Sequence, residues 1–132
     1  MNVKVTMVAR YLLGVLFLVF GGNGLAMVFF GGGFLPMPEP SPQMATVMGG
    51  FFGAVYLIPL VKILEVLAAL LLLSGKYVNL AIVLLGPIVV NILGIHLFVD
   101  LSGAPMAVFI LILWGILLRS RWNDFRPLLK VH

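Results

Sequence analysis

Six polar side chains stand inside or at the edge of otherwise apolar runs: Asn23, Lys62, Glu65, Asn91, His96 and Asp100. Lys62 and Glu65 are spaced i, i+3, which puts both on one face of a helix. Such a pair can form the charged wall of a ligand or proton site: the ammonium donates to a carbonyl oxygen and the carboxylate accepts or relays a proton. The competing reading is a mutually neutralised ion pair that fixes helix packing. Ala68 and Ala69 continue the same face, and small residues there let another helix approach closely. His96 and Asp100 are spaced i, i+4, so the carboxylate can orient the imidazole; otherwise the histidine is satisfied by water or headgroups. Asn91 lies one turn after Pro87. Its amide either lines a cavity or satisfies backbone that the proline frees. On an ideal helix Asn91 and His96 point about 140° apart, so they meet on one small ligand only if the helix is distorted or the cavity wide. Asn23 sits in Gly21-Gly22-Asn23-Gly24, where glycines permit close packing or an opened backbone.

Several chemistries are excluded. The chain has no cysteine, which removes thiol–disulfide exchange and thiolate metal ligation. No flavin, haem, iron–sulfur or metal signature is present, so electrons for any redox step come from a partner. The methionines are scattered as packing residues, and His132 is terminal. The 8 basic residues, against 4 acidic ones, sit at segment ends rather than in one patch, which argues against nucleic-acid binding. Arg10 and Lys76 read as ordinary interfacial anchors.

The elements that must hold these residues follow from composition. Of the 132 residues, 63% are hydrophobic and 9% charged. A soluble domain carries about 25% charge, so the natural solvent of this chain is a bilayer. Runs such as Ala68 to Leu73 are apolar on every face, as in helical rather than β-barrel membrane proteins. One span needs about 20 residues, so the chain holds about four spans in a single transmembrane domain. They are expected at about 6–30, 56–74, 78–99 and 105–120, with an outer loop at 31–55 carrying a short helix near 43–50. The first segment exceeds the usual apolar core of a leader and lacks a clear cleavage site, so it reads as a retained helix. The fold class is therefore all-α: a polytopic four-helix membrane bundle.

Charge sets the orientation. Lys4 and Arg10 precede the first span, Lys76 joins the second and third, and Arg119, Arg121, Arg126 and Lys130 follow the fourth. The other connections hold Glu39 and Asp100 without a basic residue. The positive-inside rule then places both termini in the cytoplasm, with Tyr11, Tyr77 and Trp122 at the inner interface. From the helix rise, Lys62 lies roughly 8 Å, Glu65 roughly 12 Å, Asn91 roughly 12 Å and His96 roughly 5 Å below the outer face, and Asn23 roughly 10 Å below the end of its span. The polar residues are thus expected in a pocket in the outer half of the bundle.

The same residues carry a family resemblance. Arg10-x-x-x-Gly14 leads into Phe20-Gly21-Gly22-Asn23-Gly24. Val61-Lys62-Ile63-Leu64-Glu65-Val66, Leu71-Leu72-Leu73-Ser74-Gly75, Pro87-Ile88-Val89-Val90-Asn91-Ile92 and His96-Leu97-Phe98 follow in order. Over about residues 8 to 128 the chain resembles the small DoxX-like integral membrane proteins. That resemblance implies a four-helix bundle in the bacterial cytoplasmic membrane. Among DoxX relatives are subunits of a thiosulfate:quinone oxidoreductase and redox-associated membrane partners. No catalytic role comes with the match, and whether the chain is an enzyme stays open. Three functions compete. The first is a redox-associated protein binding a quinone or small lipophilic ligand. The second is a small transporter subunit, which requires oligomers. The third is a structural or assembly subunit. The expected partners are the lipid bilayer and either an oxidoreductase or further copies of the chain.

Overall fold

A computed structural model describes residues 2–132. Its elements are helices α1 (Val3–Phe30), α2 (Pro42–Gly53), α3 (Leu57–Ser74), α4 (Val78–Phe98), α5 (Ala104–Ser120) and α6 (Trp122–Phe125), with 3₁₀ turns at Leu101–Gly103 and Arg126–Leu129. No strand occurs among the described residues. Four helices, α1, α3, α4 and α5 with its preceding turn, are long and apolar enough to cross a membrane. They pack as an antiparallel bundle in which α1 lies against α3 and α5, and α4 also lies against α3 and α5. The α1 start, the α3–α4 connection and the α5 end share one end of the bundle, here the termini end. The opposite end carries α2 and is called the α2 end.

Helix boundaries follow local chemistry. α1 begins at Val3, three residues before the expected start, because the Asn2 side chain accepts from the Lys4 N–H at 2.8 Å and caps the extra turn. At 28 residues, α1 is about 42 Å long and outruns a hydrocarbon core of about 30 Å. It ends at Gly31, whose φ of 78° is the left-handed C-cap that glycine tolerates best. The short helix of the 31–55 loop is longer than expected, at Pro42–Gly53. Ser41 caps it by accepting from the Met44 N–H at 3.2 Å, and Pro42 fills the first turn. Met44, Val47, Met48 and Phe51 form its half-buried face, while Gln43, Thr46 and the glycines stay exposed. α3 and α4 join by a tight turn in which Gly75 has φ 72° and Tyr77 φ 55°.

The core explains the neighbours. On α3, Ile58, Glu65 and Leu72 recur every seven residues and are buried with Ala68 and Ala69. This stripe meets Leu13, Gly14, Phe17, Gly21 and Gly24 of α1. A methyl group added at Gly14 would come within 2.9 Å of the Leu73 side chain, and one at Gly21 within 3.1 Å of Glu65 Cβ and 3.3 Å of the Val66 nitrogen. The missing Cβ atoms therefore set how closely α1 and α3 approach. Ala81, Ile82, Leu85 and Val89 of α4 and Ile110, Leu113 and Leu117 of α5 complete the core. The Trp114 N–H donates to the Ile82 carbonyl at 2.9 Å, which ties α5 to α4 just before Pro87.

Candidate functional site

Lys62 and Glu65 form the single ion pair among the described residues. Lys62 Nζ lies 3.1 Å from Glu65 Oε2 and 3.3 Å from Oε1. The pair exists because the α3 stripe carries Glu65 into the α1–α3 seam, and the i, i+3 spacing brings the ammonium over the carboxylate. The two members are unequal: the Glu65 side chain is 3% exposed and that of Lys62 24%. The Lys62 stem lies on Gly24, where an added Cβ would come within 2.5 Å of its Cδ. Any side chain at position 24 would push the lysine off this path. An ammonium has three donors, so the carboxylate leaves one for a further acceptor. Glu65 is held from one side by charge and from the other by the Gly21 gap.

Asn23, one residue before Gly24, does different work. Its Oδ1 accepts from the Phe34 N–H at 2.7 Å and the Leu35 N–H at 2.9 Å. The chain after Gly31 therefore folds back along α1, and Gly33 passes directly against the Asn23 amide, where a Cβ has no room. Asn23 is buried and its oxygen is spent on loop backbone. It holds the approach to Gly24 and Lys62 in place.

His96 and Asp100 come together, but not through the carboxylate. His96 Nδ1 lies 3.1 Å from the Asp100 backbone carbonyl oxygen. A carbonyl only accepts, so Nδ1 is the donor in this contact. The ring rests on Gly103, at a distance that excludes any side chain there. The Asp100 carboxylate turns the other way. Its Oδ1 accepts from Ser102 Oγ at 2.7 Å and the Ser102 N–H at 3.0 Å, capping the 3₁₀ turn. These bonds, with smaller contributions from Ser41 at the α2 N-cap, hold its carboxyl below the usual carboxylate range.

Asn91 departs furthest from expectation. It faces outward and is exposed on the bundle surface. Its Nδ2 donates to the Pro87 carbonyl at 2.8 Å, not to the Val83 carbonyl, the group that loses its partner because proline has no N–H. The amide therefore bonds back one turn on its own helix. Asn91 and His96 diverge, as the ideal helix requires. The structure accordingly brings the six residues together in two groups, Lys62 and Glu65 beside the Asn23 loop anchor, and His96 with Asp100, and leaves Asn91 outside both. No hydrogen bond or ion pair joins the two groups among the described residues. No three His, Cys, Asp or Glu side chains converge as a metal site there.

Arg10 was legible only as an interfacial anchor. Its Nη1 donates to the Leu72 carbonyl near the α3 C-terminus, and the guanidinium abuts Gly75. It also stacks on Tyr11, 4.5 Å from the ring centroid. The arginine there adds a second donor to a carbonyl that also accepts the Gly75 N–H at 3.2 Å, and meets the negative end of the helix dipole. Arg10, Gly14, Gly21 and Gly24 fall along one face of α1, a spacing that could have marked the face packed on α3. A hollow of about 610 Å³ also lies at the termini end, between the α1 start and the α5 end, rather than beside Lys62 and Glu65. Protein-family models, curated proteins and solved structures give no match to this chain.

Proposed function

We propose that this chain is a DoxX-like, redox-associated protein of the bacterial cytoplasmic membrane, with both termini cytoplasmic. In this reading it binds a quinone or similar lipophilic carbonyl compound at Lys62 and Glu65. The observation that carries it is the unequal burial of the ion pair, with the carboxylate closed off and the ammonium partly open. An intramembrane ion pair is costly to keep, and such residues mark ligand or proton paths more often than packing contacts. The spare Lys62 donor binds the ligand carbonyl oxygen, and Glu65 accepts or returns the proton as the ligand changes state. His96 and Asp100 lie at the same end and serve proton entry. An oxidoreductase partner supplies the electrons. The basic residues at the termini end and their absence from the α2-end loops support the orientation.

The test is native mass spectrometry of the protein purified with ubiquinone. One quinone retained per chain, and lost in Glu65→Gln and Lys62→Met, is the expected result. A preparation that retains none, or variants that retain it unchanged, overturns the assignment.

A second reading has its own observation. Asn91 presents an unfilled Oδ1 on the exposed surface of α4, and Gly94, one turn on, has nothing near its missing Cβ. A polar group facing lipid favours a partner helix, as an assembly subunit would have. Crosslinking through Asn91→Cys that yields no adduct with itself or another protein removes this reading.

A further inference from the structure

The termini end holds a feature that the Lys62 and Glu65 reading does not use. The 610 Å³ groove lies where α1 starts and α5 ends, and its size is within the range of ligand sites, about 300–1,000 Å³. Arg10 and Arg121 line it, with Asn123 beside them, while the exposed Val3 and Met7 side chains, one turn apart on α1, give it an apolar wall. The Thr6 and Ser120 hydroxyls also line it, but both donate to backbone carbonyls of their own helices, Asn2 at 3.2 Å and Leu117 at 2.7 Å. The donors left for a ligand are therefore the guanidinium groups and the Asn123 amide. Arg10 spends one N–H on Leu72, and a guanidinium carries five.

Charge makes the groove anion-selective. The only ion pair among the described residues is at the other end of the bundle, so neither arginine is neutralised. The one acid in the lining, Asp124, accepts from the Asn79 amide at 2.8 Å and keeps its charge, so two guanidinium charges outweigh one carboxylate. Lys4, Lys76, Arg119 and Arg126 surround the same end of the molecule. A groove with a cationic mouth and an apolar wall, set where four apolar helices leave the membrane, matches an amphiphile. A free phosphate would leave the Val3 and Met7 wall without a function.

We infer that this groove binds the headgroup of an anionic phospholipid. Its phosphate sits between Arg10 and Arg121, and the start of one acyl chain lies along Val3 and Met7. Basic pockets between spanning helices recognise anionic headgroups in this way. The site is independent of the quinone reading and does not depend on which leaflet it faces.

The experiment measures lipid retained by the purified full chain, using phosphatidylglycerol and phosphatidylcholine of the same acyl chains in native mass spectrometry. The expected result is one phosphatidylglycerol retained in preference to phosphatidylcholine. Arg121→Gln lowers that retention roughly fivefold, the effect of about one basic residue near a membrane surface. Met7→Trp narrows the groove without touching its charge and also lowers retention. Lys130→Gln removes the same charge outside the groove and leaves retention unchanged. Equal losses in Arg121→Gln and Lys130→Gln mean diffuse surface charge and overturn the site. Equal retention of the two lipids overturns headgroup recognition. Displacement of the lipid by inorganic phosphate overturns the lipid assignment in favour of a free phosphate.

Discussion

Lys62→Met should be the more damaging half of the ion pair to remove. Among the described residues the Glu65 carboxylate receives its hydrogen bonds from Lys62 alone, and its side chain is 3% exposed. Without the ammonium it is an uncompensated charge against the α1–α3 seam, and breaking a buried pair this way costs about 3–5 kcal/mol. Its alternative is to take up a proton. From an ordinary glutamate pKa of about 4.3, at about 1.36 kcal/mol per pH unit, that costs about 3.7 kcal/mol at pH 7. The loss is therefore bounded near 3.7 kcal/mol, inside the range for breaking a buried pair. Glu65→Gln leaves a lysine whose side chain is 24% exposed and whose flexible stem can carry the ammonium toward water. That variant should lose about 1.5–3 kcal/mol, the value of hydrogen bonds to a charged group. The double variant Lys62→Met with Glu65→Met buries no charge and should recover most of the single Lys62→Met loss. Reversible unfolding in mixed detergent micelles, followed by circular dichroism, measures all three. A double variant no more stable than Lys62→Met, or a Lys62→Met protein as stable as the parent, refutes the account of Glu65 as a carboxylate held by one lysine.

Two further outcomes follow from the α2 end. Asn23→Ala removes the acceptor of the Phe34 and Leu35 N–H groups and should cost about 1–3 kcal/mol. Faster hydrogen exchange at residues 33–35, with the α3–α4 contact unaffected, checks it. Asp100 has its carboxyl held below the usual range by Ser102. Its contribution to the order of the 99–103 loop is complete above the unfolded-state value of about 3.9 and fades as pH falls through the lowered folded-state value. Corrected for the intrinsic pH dependence of amide exchange, protection in that loop should fall on acidification below pH ~3.9 in the parent, and be low and independent of pH over that interval in Asp100→Ala. An unchanged loop in Asp100→Ala contradicts the capping role.

The four spans, their turns and the Lys62 and Glu65 spacing were legible because hydropathy runs, Gly-Pro punctuation and the i, i+3 rule are local. The end of α1 at Gly31 and the proline in the first turn of α2 follow from residues within a turn of each boundary. The direction of each polar side chain was not local. Asn91 faces outward and Asn23 reaches a loop eleven residues on, although both are amides in apolar helices. The polar residues expected together in the outer half form two separate groups there, and a 610 Å³ groove lies at the other end.

The sequence alone determined that this chain is helical and apolar enough to cross a membrane four times, because backbone satisfaction in lipid leaves a long apolar run few other conformations. Only the tertiary structure decided which face of each helix looks inward. In water, an apolar stripe marks the buried face. Here leucine and valine cover all sides, and lipid accepts them as readily as a neighbouring helix does. The inward faces were chosen instead by close fit: Gly14, Gly21 and Gly24 against α3, Trp114 against α4, and Arg10 on the carbonyl of Leu72.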